Sequence, residues 1–185
     1  MNRTPTTILS ELLVLNAQRG DAESLSELVE FWTPRLRARA HRLTRDHEGG
    51  DEVLQESWVG IARGLRRLRD PALFGAWAMR IVHHKSADWI RARARDRAMD
   101  PLHDEQTIGE SAPTEIDRAQ TIRTAIGQLD PKLRDVVYLF YMDHCTIEQI
   151  AAVLEIPVGT AKTRLMRAKK QLRLILEHSL ERSTP

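Results

Sequence analysis

One cysteine in 185 residues is too few for an internal disulfide, and Cys145 has no partner at metal-binding spacing, so nothing points to an oxidising compartment or a thiolate metal centre. Its simplest role is that of a small core residue. Long apolar runs are missing too. The stretch ILSELLVL at residues 8–15 is broken by Glu11, is too short to span a bilayer, and is not followed by a small-residue cleavage site. A cytoplasmic protein without membrane insertion is the expectation. The nine glycines are scattered, so there is no phosphate-cradling loop, and neither a paired metal-ligand motif nor a nucleophile constellation appears. No cofactor and no enzyme activity are therefore expected.

Alternating strand patterns are also absent. Apolar residues recur at three- and four-residue steps, and Ala, Leu, Arg and Glu dominate, which predicts an all-α chain. With 42% hydrophobic and 29% charged residues, the composition is that of a soluble folded protein. The net charge of +2 is unevenly spread. Residues 1–99 carry 17 Lys or Arg against 13 Asp or Glu, residues 100–117 none against six, and residues 118–185 carry 11 against seven. Two basic blocks flanking an acidic strip suggest two contact surfaces for an anionic partner. The strip, DPLHDEQTIGESAPTEID, has two prolines and little periodicity and reads as a linker. It separates two small helical domains, 8–97 and 118–178, with 98–117 between them.

Acidic residues are missing altogether from Ile156 to Arg173, a run with six Lys or Arg. Just upstream, Thr146 and Gln149 have capping-box spacing and start a helix, on which Ile147, Ile150, Ala151 and Leu154 share one face. Pro157 ends it and can open the next. There, Val158, Ala161, Leu165, Ala168, Leu172 and Ile175 mark a buried stripe. Thr163, Arg167 and Lys170 lie opposite, flanked by Thr160, Lys162 and Arg164. Two helices joined by a three-residue turn, the second basic on its outer face, form a helix-turn-helix suited to a DNA major groove. A merely solvated basic face is the bland alternative. A membrane-surface helix is disfavoured by the narrow, aromatic-free stripe.

All four tryptophans, at 32, 58, 77 and 89, lie in the first hundred residues. By composition they read first as core. Their mixture with Arg, Lys and His along residues 73–97 also suits stacking on an unpaired base. His83 and His84 point about 100° apart on a helix and, with Asp88, lack an evident third ligand, so no metal is expected.

The segments GDEVLQESWVGIARGL, FGAWAMRIVHHKSADWIRARAR and LDPKLRDVVYLFYMDHCTIEQIAAVLEIPVGTAKTRLMRAKKQL resemble, in order and spacing, the extracytoplasmic-function (ECF) sigma factors of bacterial RNA polymerase. The likeness covers most of residues 17–176. It implies a promoter-specificity subunit that binds core RNA polymerase at the clamp of the largest subunit and at the flap. Promoter DNA and an anti-sigma factor are its other implied partners. By position, Asp51, Glu52, Gln55 and Glu56 are implied to meet the clamp, with Leu54, Trp58, Ile61 and Leu65 turned inward. The family usually has Glu then Asp where this chain has Asp51 then Glu52. Phe74, Trp77, Arg80 and His84 are implied at the near promoter element, where the family commonly has Arg then Asn in place of His83 and His84. Thr160, Lys162, Thr163, Arg164, Arg167 and Lys170 are implied at the far element, with Lys169, Lys170 and Arg173 holding phosphates. Pro157 stands where the family often has a capping Ser. In related factors the acidic connector threads polymerase channels otherwise holding RNA. An autonomous helix-turn-helix regulator is the alternative reading.

Overall fold

The computed structural model of the chain describes residues 5–99 and 118–181, all of whose regular structure is helical. The acidic stretch at 100–117, read as a linker, lies outside the described residues. The chain divides into two compact units, residues 1–109 and 110–185. No helix among the described residues is long and apolar enough to cross a membrane.

The first unit holds α1 (Pro5–Gln18), α2 (Ala22–Thr44), α3 (His47–Gly64) and α4 (Phe74–Met99). Asp21 starts α2 by accepting from the Glu23 N–H, and its other oxygen takes the Ser24 hydroxyl at 2.6 Å. Arg45, in the left-handed region at φ 55°, closes α2 through its N–H to the His41 carbonyl. Asp46 then caps α3 through the Gly49 N–H at 2.8 Å. Two residues thus turn the chain between long helices. Helices α2, α3 and α4 pack on one another, and α1 packs along α2. Their core contains Leu28, Leu36, Val53, Leu54, Ile61, Phe74, Met79 and Val82.

Two adjacent glycines let α3 sit close to both neighbours. A Cβ on Gly49 would stand 2.1 Å from the Trp89 ring, and one on Gly50 would stand 2.0 Å from the His41 ring. The expected inward stripe of α3 is wider than its spacing suggested. Val53 and Ser57 are buried beside Leu54, Ile61 and Leu65, whereas Trp58 is half-buried.

The second unit holds α5 (Arg118–Gly127), α6 (Pro131–Val137), α7 (Ile147–Leu154) and α8 (Val158–Glu181). Asp130 caps α6 ahead of Pro131, and a π-helical turn, Tyr138–Met142, continues it. The Thr146–Gln149 capping box is formed in both directions, at 3.2 and 2.9 Å. Ile126, Leu129, Val137 and Ala168 form one cluster of the core, with Leu172 and Ile175 against it, and Val136, Leu139 and Ile150 are fully buried as well. Val153, outside the expected face of α7, is fully buried, and Cys145 is buried too.

Candidate functional site

The turn between α7 and α8 has three residues, Glu155–Pro157. Glu155 takes the left-handed conformation and donates its N–H to the Ala151 carbonyl, while the Pro157 carbonyl receives the N–H groups of Thr160 and Ala161 at 2.9 and 3.1 Å. Proline therefore supplies a preset start without a side-chain cap. Ala161, Leu165 and Ala168 are buried, which turns Lys162, Thr163, Arg167 and Lys170 to solvent and leaves Thr160 and Arg164 half-buried at the margins. Val158, expected inside, is 46% exposed, because burial on α8 begins only at Ala161.

The basic residues of α8 differ in their engagements. The Lys169 ammonium lies 5.3 Å from the Phe140 ring centre and 5.8 Å from that of Tyr141. Arg173 donates to the Glu177 carboxylate at 2.7 Å, an interaction that raises its already high pKa and keeps it cationic. Lys162, Arg167 and Lys170 have no acidic partner among the described residues. The Thr163 hydroxyl donates to the Gly159 carbonyl at 2.8 Å, so its proton is already used within the helix.

In the first unit, the connection between α3 and α4 is pinned from outside. The Gln18 side-chain amide donates to the carbonyls of Leu65 and Leu68 at 2.9 and 2.7 Å, and the Asp70 carboxylate receives the Ala72 N–H at 3.0 Å. Phe74, expected at the near element, is 1% exposed. Its ring lies edge-on to Trp32 at 5.5 Å and 6.0 Å from Trp77. Enclosed by other rings, Phe74 supports α4 from within. Trp77, Arg80 and His84 do share one face of α4, the first half-buried and the others exposed. Three indole N–H groups are committed internally, Trp32 to Ser10, Trp58 to Thr33 and Trp89 to Glu52. Trp77 has no such bond among the described residues.

The outward face of α3 is less free than its pattern suggested. Glu52 receives the Trp89 indole N–H at 3.0 Å, and Glu56 pairs with Lys85 at 2.9 Å. Only Gln55 of the exposed trio has no side-chain partner among the described residues. Asp51 receives His41 Nε2 at 3.0 Å, with Arg37 Nε at 3.3 Å and His47 Nδ1 at 3.6 Å. The His41 hydrogen bond, and then the neighbouring positive charge, hold the Asp51 carboxyl below its usual range. The ligand-capable atoms of His41, His47 and Asp51 lie within 4.8 Å of one another. In the sequence, the group that invites such a role is His83 and His84 with Asp88. The one available signal was the His47–Asp51 spacing of one helical turn, and only the fold brings His41 to it.

In the second unit, Phe140, Tyr141, His144, Cys145, Thr146 and Ile147 line an open cleft of about 570 Å³. Tyr141 and Met142 stand exposed on the π-helical turn.

The profile of the family described as Sigma-70 region 2 matches residues 28–96, and that of Sigma-70, region 4, matches residues 119–172. The ECF RNA polymerase sigma factor SigW of Bacillus subtilis is 23% identical over 173 residues, spanning 86% of this chain and 92% of its own. The ECF RNA polymerase sigma-E factor of Salmonella typhimurium is 26% identical over 180 residues, spanning 89% and 93%. Among solved structures, the sigma factor RpoE of Bartonella quintana, crystallised with the anti-sigma factor NepR, superposes with a TM-score of 0.68 at 21% identity, covering 84% of this chain and 98% of that one. That last likeness bears on the fold.

Proposed function

The chain belongs to the sigma-70 family as an RNA polymerase sigma factor of the ECF type, and from that premise we propose how its surfaces divide the work. The first unit docks on the clamp of core RNA polymerase through Asp51, Glu52, Gln55 and Glu56 of α3. Its α4 face, Trp77, Arg80 and His84, meets the near promoter element as the strands part. The α8 face, Thr160, Lys162, Thr163, Arg164, Arg167 and Lys170, enters the major groove of the far element. There, residues near the helix start reach base edges, and later ones hold phosphate.

The observation that carries the reading is the order of two sigma-70 regions on one chain, the second ending in a helix whose exposed face is basic and, from Val158 to Arg173, free of acids. The placement of half-buried Trp77 on one face with the exposed Arg80 and His84 supports its role, since a melted strand is held by base stacking on an accessible ring face beside cationic side chains. The cleft at Phe140 and Tyr141 is an apolar surface suited to the polymerase flap. An anti-sigma factor is a further proposed partner, in keeping with the complex described for the Bartonella protein. The family is not a class of enzymes, and bond formation in this reading belongs to the polymerase. The protein works in the cytoplasm, and residues 98–117 act as an acidic connector between its domains.

Purified chain and core polymerase, applied to a genomic fragment library with transcript starts mapped, test the assignment. Specific starts only with both components are expected. Tight operator binding by the chain alone, unchanged by core enzyme, would restore the disfavoured reading as an autonomous regulator.

A further inference from the structure

His41, His47 and Asp51 meet at the turn between α2 and α3, whose backbone is fixed at both helix ends. Arg45 closes α2 on the His41 carbonyl, Asp46 caps α3, and the Thr44 hydroxyl donates to the Asp46 carbonyl at 2.9 Å. Gly50 lets α3 approach His41 so closely that no side chain fits between them. His47 and Asp51 are one turn apart on α3. The two imidazole rings lie 4.5 Å apart, centre to centre.

We infer that these three residues form a binding site for a divalent d-block cation of the zinc class. Two imidazoles and a carboxylate are a donor set that suits Zn²⁺ or Co²⁺ and not the all-oxygen shells of Ca²⁺ or Mg²⁺. Tetrahedral zinc, with bonds of about 2.0–2.1 Å, holds its ligand atoms roughly 3.4 Å apart. The His41 Nε2 to Asp51 Oδ1 and His47 Nδ1 to Asp51 Oδ2 distances, 3.0 and 3.6 Å, bracket that spacing. One ligand atom from each residue lies within 4.8 Å of the others, so side-chain rotations that bring both imidazoles to one carboxylate oxygen close the site, and a water can fill the fourth position. Arg37, at 3.3 Å from Asp51, is the competing cation. Its side chain is 54% exposed and can withdraw into water.

The cation would take up Asp51 and set two positive charges beside Glu52. Resting on the assignment of these residues to the clamp, the metal-bound chain associates less tightly with core polymerase.

The test uses untagged full-length chain and Co²⁺ alone, followed by visible absorption. One tetrahedral cobalt per chain, displaced by Zn²⁺, is expected. His47→Ala removes a side chain that is 73% exposed, so the fold persists while affinity falls at least about tenfold. Asp51→Asn weakens binding likewise, and the His83→Ala/His84→Ala double variant keeps it. Absence of tetrahedral cobalt, or binding that survives His47→Ala and disappears with the His83/His84 pair, overturns the site. Core affinity that is the same with and without Zn²⁺ overturns the coupling. Reversal of Glu56 in metal-free protein tests the clamp assignment separately, so its failure leaves the cobalt result standing.

Discussion

The indole N–H of Trp89 on α4 donates to the Glu52 carboxylate on α3 at 3.0 Å, which ties a proposed polymerase contact to the packing of its own unit. Glu52→Gln keeps an oxygen that can accept the indole proton, whereas Glu52→Lys does not. The glutamine variant should unfold at nearly the wild-type urea midpoint, and the lysine variant should lose about 1 kcal/mol. Both should associate more weakly with core polymerase. Core affinity unchanged in Glu52→Gln would show that the charge is not read.

Arg167 and Lys170 separate base reading from phosphate holding. Arg167→Ala should cost about 1–3 kcal/mol on the preferred promoter and relax discrimination at one position. Lys170→Ala should weaken all sequences about equally and reduce the salt slope by about one charge. Polymerase-dependent binding to single-base promoter variants at several salt concentrations distinguishes them, and exchanged phenotypes would mean a different docking angle.

At Thr163 the hydroxyl proton is held by the Gly159 carbonyl, which leaves the methyl group and the oxygen's acceptor lone pairs for DNA. With the methyl as the contact, Thr163→Val should retain promoter affinity, while Thr163→Ser, which lacks the methyl, should lose it where a thymine methyl is met. The opposite ranking in the same binding panel would assign the contact to the oxygen.

Removing the amide of Gln18 frees two carbonyls of the connection ahead of α4. Gln18→Ala should destabilise the first unit by about 1–2 kcal/mol and slow promoter opening more than it weakens binding to the closed duplex. Fluorescence of a base analogue in the near element would report the opening step.

Acid should act on the start of α2. The Ser24 hydroxyl, followed by backbone N–H groups, lowers the Asp21 pKa from 3.8. A carboxyl lowered in the folded state stabilises the fold above its unfolded value and loses that contribution as pH falls through the folded one. The stability difference between wild type and Asp21→Asn should be fully present near neutrality and shrink below about pH 4. A constant difference across that window would remove Asp21 from the titration.

The helix-turn-helix was legible because its signals are local: a capping box, a proline and a period of three and four residues all act within a few positions. The same holds for Asp130 with Pro131. What the sequence does not carry depends on distance along the chain. Phe74 matches a binding motif by neighbourhood, yet Trp32, forty-two positions earlier, encloses it. Gln18 reaches carbonyls 47 and 50 residues away, a relation that no short window carries. Glu52 and Glu56 were read correctly as exposed, but their partners Trp89 and Lys85 belong to another helix, and periodicity reports which way a side chain faces without naming what it meets.

Anyone seeking a hardier variant of this protein would start by replacing helical glycines with alanine, a change ordinarily worth about 0.5–1 kcal/mol. At Gly49 and Gly50 that route is closed, since the new methyl group would stand 2.1 Å from Trp89 or 2.0 Å from His41. Gly127 and Gly159 behave in the opposite way: neither has a positive φ, and a Cβ there meets nothing within 4 Å. Thermostability is therefore open to engineering in the second unit by a substitution that, made at the start of α3, would push three helices apart.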